Sequence, residues 1–247
     1  MTPPDQVAGH GGEPLTLYCV PHAGGSARTF LRWRREMPAA VRVVPLEIAG
    51  RGRRTREPRH ASLQEAARRL ADGIVPNGRY AILGHSMGGL IAHELARLLT
   101  DRGDAPEFLV VAATRPCHLL TPELHAPLLD LPDDRLLETL AEGGTIPEEL
   151  LRSPMRQLFV PVIRGDLELI AGYRPDLEAE PLPVELTAWH GTEDPATPGD
   201  VMAGWRRHTR RPCRVEAFPG GHFFLHEHLE HVTARLVELA ATGVNAM

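Results

Sequence analysis

The chain has 247 residues, of which 43% are hydrophobic, and carries a formal net charge of −5 at pH 7. That length and apolar content fit one α/β domain with an insertion and exclude a disordered chain. The acidic balance argues against nucleic acid or an anionic membrane as the main partner, because both select basic surfaces. All 27 basic residues are arginine, a mark of genomic base composition and not of chemistry. The three cysteines, Cys19, Cys117 and Cys213, are far apart, odd in number and in no metal-ligand spacing, which points to a reducing, cytoplasmic compartment. Residues 1–14 are polar and rich in Gly and Pro, without the apolar core of a signal peptide. No stretch reaches the ~18 apolar residues needed to cross a bilayer.

In chain order, residues 15–20 (LTLYCV) predict a first strand that runs into PHAGGS, and 41–46 (VRVVPL) a second, with Pro45 marking its end or a sheet edge. Residues 62–74 predict a helix, with Leu63, Ala66, Ala67, Leu70 and Ile74 on one face. Ser62 is its N-cap and Glu65 its capping-box partner. Residues 80–83 (YAIL) predict a strand leading into GHSMGG, and 87–99 an amphipathic helix. Further strands are predicted at 108–113, 184–189 and 214–218, and a last helix at about 223–240. Strands alternating with helices imply a mainly parallel sheet covered on both faces.

Between about 117 and 176 the alternation stops. Leu136, Leu137 and Leu140 share one helical face; Leu158, Val162 and Leu169 suggest another, with Pro161 kinking or dividing it. A helical block inserted there reads as a lid over a site. The expected organisation is one domain over 1–247 with a helical insertion at about 117–176.

Gly84-His85-Ser86-Met87-Gly88 is a G-x-S-x-G pentapeptide between a predicted strand and a predicted helix, the context that motif requires. A serine at such a sharp turn projects its hydroxyl, and the next N–H, that of Met87, stands at a helix N-terminus where it can stabilise an oxyanion. A second donor is expected from the glycine-rich loop after the first strand, and the Ala23 N–H is the candidate.

A serine hydroxyl needs a base within hydrogen-bond reach, and in a fold of this kind the chain order is Ser, then acid, then His. His222 follows the last predicted strand in Pro219-Gly220-Gly221-His222. Asp194 follows the strand before it in Gly191-Thr192-Glu193-Asp194. The acid orients the imidazole and stabilises the imidazolium. Glu193 competes with Asp194, since adjacent turn residues point differently and only one can reach; the preference for Asp194 rests partly on the family likeness given below. Of the other histidines, His85 is expected to point away from the nucleophile, His190 to be structural, and His22, in the glycine-rich loop, to have a packing role with ligand contact as the alternative. His226, His228 and His231 stand near His222 at helical spacing, but no carboxylate or thiolate motif completes a metal set. The run Arg51, Arg53, Arg54, Arg56 and Arg59 reads as a solvated loop, with contact to a phosphate or an acidic partner as the alternative.

These motifs resemble the type II thioesterases of polyketide and nonribosomal peptide biosynthesis, over nearly the whole chain. PHAGGSA, LEIAGRGRR, GHSMGGLIAHELAR, the inserted segment LPDDRLLETLAEGGTIPEELL with PVIRGDLELIAGYR, GTEDP and PGGHFFL carry the likeness. Ala49 stands where the family usually has proline, and Asp194 keeps the Gly-x-x-Asp position. The resemblance implies an α/β-hydrolase fold and a stand-alone enzyme, monomeric and without a cofactor. Its substrates would be acyl thioesters on the phosphopantetheine arm of carrier proteins. A general carboxylesterase, a medium-chain acyl thioesterase and a non-catalytic carrier-protein-binding module are the alternatives.

Overall fold

The computed structural model describes residues 13–242. The reading of residues 1–14 as leaderless falls, for residues 1–12, outside the described residues. Six strands form one sheet in the order β2-β1-β3-β4-β5-β6, every neighbouring pair parallel. They are β1 (Leu15–Val20), β2 (Val41–Pro45), β3 (Tyr80–His85), β4 (Phe108–Ala112), β5 (Glu185–Gly191) and β6 (Cys213–Phe218). With the helices on both faces this is the α/β-hydrolase architecture.

Burial explains the order. Every residue of β3 and β4 is buried, as expected of central strands covered on both faces. β2 lies at an edge and ends at Pro45, where a missing N–H costs no ladder bond. On one face α2 (Leu63–Asp72) and α3 (Met87–Asp101) bury Leu63, Leu70, Ile91 and Leu95. On the other, α1 (Leu31–Glu36) and α10 (Leu229–Thr242) bury Trp33, Val232 and Leu236. Ser62 caps α2 by accepting the Glu65 N–H at 3.1 Å, while the Glu65 carboxylate accepts the Ala61 N–H, one residue earlier than a capping box predicts.

Four helices stand between β4 and β5: α4 (Pro122–Leu129), α5 (Asp133–Glu142), α6 (Glu148–Arg152) and α7 (Arg156–Ala171). They have a core of their own, in which Leu136, Leu137 and Leu140 meet Val160, Ile163 and Leu167. Three expectations change here. Pro161 does not divide helix α7, which runs on through it; Pro161 and Gln157, whose carbonyl loses its bond, are both exposed to solvent. The buried apolar residues of α7 are Val160, Ile163, Leu167 and, as expected, Leu169; Leu158 is 65% exposed and belongs to the outer face. The last predicted helix is two, α9 (Phe224–Glu227) and α10, broken at His228, and α8 (Gly199–Met202) is an extra short turn after β5. None of the described helices is long and apolar enough to cross a membrane.

Candidate active site

Ser86 sits between the last residue of β3 and the first of α3 with φ 56° and ψ −122°, a strained conformation for a residue with a side chain. The strain is held from several sides. The Ser86 N–H donates to the Ala112 carbonyl at 2.8 Å, and Thr114 Oγ1 lies within donating reach of both the Ala112 carbonyl, at 2.8 Å, and the Ser86 carbonyl, at 3.0 Å. Gly88 lies so close to the chain that a Cβ there would collide with the carbonyl oxygens of Val20 and Pro21. The glycine in the motif is therefore a packing requirement of β1 against α3.

The loops after β5 and β6 bring two side chains to Ser86. His222 Nε2 is 2.9 Å from Ser86 Oγ, and His222 Nδ1 is 2.8 Å from Asp194 Oδ2. A carboxylate only accepts, so Nδ1 carries the proton and Nε2 is free to accept the serine hydroxyl. Asp194 is 3% exposed and has two further donors: Thr197 Oγ1 to Oδ2 at 2.6 Å and the Ala196 N–H to Oδ1 at 2.9 Å. Burial pushes its pKa up, but the hydrogen bond and charge of His222, with the Thr197 and Ala196 bonds, outweigh it and hold Asp194 below the usual carboxylate value. Glu193 is exposed at the surface; its backbone N–H donates to the Gly220 carbonyl at 2.9 Å and so ties the two loops together.

The N–H of Met87 opens α3. That of Ala23 has no backbone acceptor among the described residues. Two cavities meet at Ser86. One, of about 240 Å³, is lined by Met87, Thr114, Arg115, Leu120 and His222. The other, of about 140 Å³, lies under the inserted helices and is lined by Ala23, Leu128, Leu140, Ile146 and Leu167.

A layer of histidines backs the site. His85 is fully buried and donates from Nε2 to the His222 carbonyl at 2.8 Å, which turns it away from the serine. His22 donates from Nδ1 to the Ala23 carbonyl at 2.9 Å and packs edge-on against His85 and Phe223. His226 packs against Phe30, Trp33 and His85. Burial is the main cause that lowers His22 and His226 to about 4 and His85 well below 6.5, so all three are neutral near pH 7. His190 is half-buried beside Gly199, away from Asp194's partners. His228 and His231 stack on each other, and no group of His, Cys, Asp and Glu among the described residues could hold a metal ion.

The arginine run divides. Arg53, Arg56 and Arg59 are exposed and Arg54 pairs with Glu57, as a solvated loop would have it. Arg51 departs from that expectation: it is buried and pairs with Asp166 of α7. Asp166, Thr114 and Thr197 were not singled out by sequence. The one available signal is an acidic residue flanked by the apolar positions of α7.

Residues 15–238 match the family model described as thioesterase domain. Thioesterase PikA5 of Streptomyces venezuelae is 35% identical over 221 residues, covering 86% of this chain and 76% of its own. Linear gramicidin dehydrogenase LgrE of Brevibacillus parabrevis is 32% identical over 227 residues, 89% of this chain and 85% of its own. The crystal structure of ClbQ from the colibactin NRPS/PKS pathway superimposes with a TM-score of 0.87 at 31% identity, over 95% of this chain and 100% of that one.

Proposed function

The chain belongs to the thioesterase domain family and is a thioester hydrolase, and from that premise we propose that it is a type II thioesterase of nonribosomal peptide or polyketide synthesis. Its substrate in this reading is an acyl group on the phosphopantetheine arm of a carrier protein, and its work is to clear aberrant or stalled acyl groups. The observation that carries the chemistry is the continuous line of hydrogen bonds from Ser86 through His222 to Asp194. The thioesterase name of PikA5 and the NRPS/PKS pathway in the name of ClbQ support the setting. The dehydrogenase in the name of LgrE is not carried over, because the family model matched over residues 15–238 is the thioesterase domain.

Ser86 Oγ attacks the thioester carbonyl as its proton passes to His222 Nε2. The carbonyl oxygen becomes an oxyanion, received by the N–H groups of Ala23 and Met87. Asp194 stabilises the imidazolium without taking its proton. The C–S bond then breaks, and His222 gives the proton to the leaving sulfur, which departs as the pantetheine thiol. Water repeats the sequence on the acyl-serine: His222 takes its proton, the acid leaves, and the proton returns to Ser86 Oγ. In this reading the helices between β4 and β5 act as a lid, the apolar cavity beneath them takes the acyl chain, and the wider one takes the arm.

Hydrolysis of acetyl, propionyl and longer acyl groups from acyl-phosphopantetheinyl carrier protein, by wild type and Ser86→Ala, tests this. The expected result is Ser86-dependent release, with carrier-bound thioesters preferred over simple oxygen esters. Brisk cleavage of oxygen esters with no thioester turnover would favour a carboxylesterase and sink the assignment.

A further inference from the structure

The oxyanion loop is gripped by an ion pair that the hydrolysis mechanism does not use. Asp166 and Arg51 are 1% and 6% exposed. Asp166 Oδ2 accepts the Gly24 N–H at 2.7 Å and Arg51 Nη1 at 2.6 Å, while Oδ1 accepts Arg51 Nη2. Arg51 Nη1 also donates to the Gly25 carbonyl at 3.2 Å. The other bonds of this turn are the His22 ring to the Ala23 carbonyl and the Gly25 N–H to the His22 carbonyl at 3.0 Å. Gly24 has φ +76°, and a Cβ on it would stand 2.9 Å from Ile163 Cγ1 on α7. The loop is thus pressed against α7 by both shape and hydrogen bonding.

A buried ion pair is a poor device for stability, because desolvating two charges offsets most of their attraction. This one also leaves Arg51 Nε buried without a partner. What the pair does supply is an acceptor for the Gly24 N–H, which together with the His22 bond to the Ala23 carbonyl fixes the Ala23–Gly24 peptide, the unit next to the one that carries the Ala23 N–H. Ala23 lines the cavity under the inserted helices together with Ser86.

We propose that Asp166 is a positioning residue for the oxyanion hole: from α7 it holds the Gly24 N–H, which aims the Ala23 N–H at the thioester oxygen, and Arg51 compensates its charge. The oxyanion hole is then complete only when α7 is seated on the loop. The proposal rests on the serine hydrolase reading above.

Two double variants separate positioning from stability, since each removes both charges. Arg51→Met with Asp166→Asn keeps a neutral acceptor for Gly24; Arg51→Met with Asp166→Leu removes it. Each is assayed for kcat and KM on an acyl-pantetheine thioester, for inhibition by an alkyl boronic acid whose tetrahedral adduct on Ser86 places an oxygen in the hole, and for Tm. The Leu double is expected to have kcat roughly ten- to a hundred-fold below the Asn double, with KM alike and boronate affinity falling in parallel, as a misaimed oxyanion donor requires. Arg51→Lys, which leaves Asp166 on Gly24, keeps kcat within about three-fold of wild type whatever its Tm, because the aiming bond survives. Equal kcat in the two doubles, a loss confined to KM or Tm, or a kcat for Arg51→Lys as low as that of the Leu double would overturn the proposal. Absent wild-type turnover, or turnover that survives Ser86→Ala, would overturn the reading of the site instead.

Discussion

Thr197 Oγ1 and His222 Nδ1 both donate to Asp194 Oδ2, at 2.6 and 2.8 Å. In the proposed mechanism the hydroxyl therefore stabilises the same negative charge that the imidazolium needs during acyl transfer. Valine has nearly the shape of threonine without the donor. Thr197→Val is expected to raise the Asp194 pKa from its lowered position, to cost about 1 kcal/mol of stability and to lower kcat about three- to ten-fold, the scale of one hydrogen bond to a charged group. Thr197→Ser, which keeps the hydroxyl, should stay near wild type. Steady-state kinetics and thermal unfolding of both variants check this; a serine variant as impaired as the valine one would show that the methyl, not the hydroxyl, matters.

How much of this was legible in the sequence depends on how local each signal is. Ser86, Asp194 and His222 stand in glycine-containing turns after strands, so pattern and chain order single out Ser86 and His222 and leave Asp194 beside Glu193, where the family likeness tips the choice. The end of β3 reads through to His85 in the structure because His85 finds a carbonyl partner inside the core, which no periodicity announces. Helix α1 was missed because it is six residues long and buries one side chain, Trp33, too little for a helical period to show. In the sequence Arg51 is indistinguishable from its exposed neighbours. Its partner lies 115 positions away on another element, and a pairing of that kind leaves no mark in local composition.

The apolar cavity of about 140 Å³ beside Ser86 gives a prediction about chain length. Leu128 is half-buried on α4 at its wall. Leu128→Phe narrows the cavity without placing a polar group in it. Turnover of long-chain acyl thioesters should fall relative to acetyl by about ten-fold or more, the scale on which an apolar pocket discriminates by a methylene or two, with acetyl kcat/KM little changed. Competition between acetyl and octanoyl pantetheine thioesters reads the ratio directly. An unchanged ratio would place the acyl chain in the other cavity.

The neutral histidine layer predicts how stability varies with pH. His22 and His226 are lowered to about 4 from 6.5, and His85 well below 6.5, chiefly by burial. Above pH 6.5 these rings are neutral both folded and unfolded, and they make stability independent of pH. As the pH falls below 6.5 the unfolded chain takes up protons that the folded chain refuses, so stability drops until the folded rings titrate near 4. Asp194 acts in the same direction, but only below 3.8, outside this window. His22 and His226 are half-buried, and solvent screens their shifts. Even half of one group's effect, about 2 kcal/mol across the window, moves Tm by about 4–8 °C for a chain of this size. Tm should therefore be flat between pH 8 and 6.5 and fall toward pH 4. His226→Leu removes one such ring, together with an Nε2 that has no hydrogen-bond partner, and leaves Ser86, His222 and Asp194 untouched. It should reduce the loss of Tm between pH 7.5 and 5, and a variant that tracks wild type across that range would remove His226 from the account.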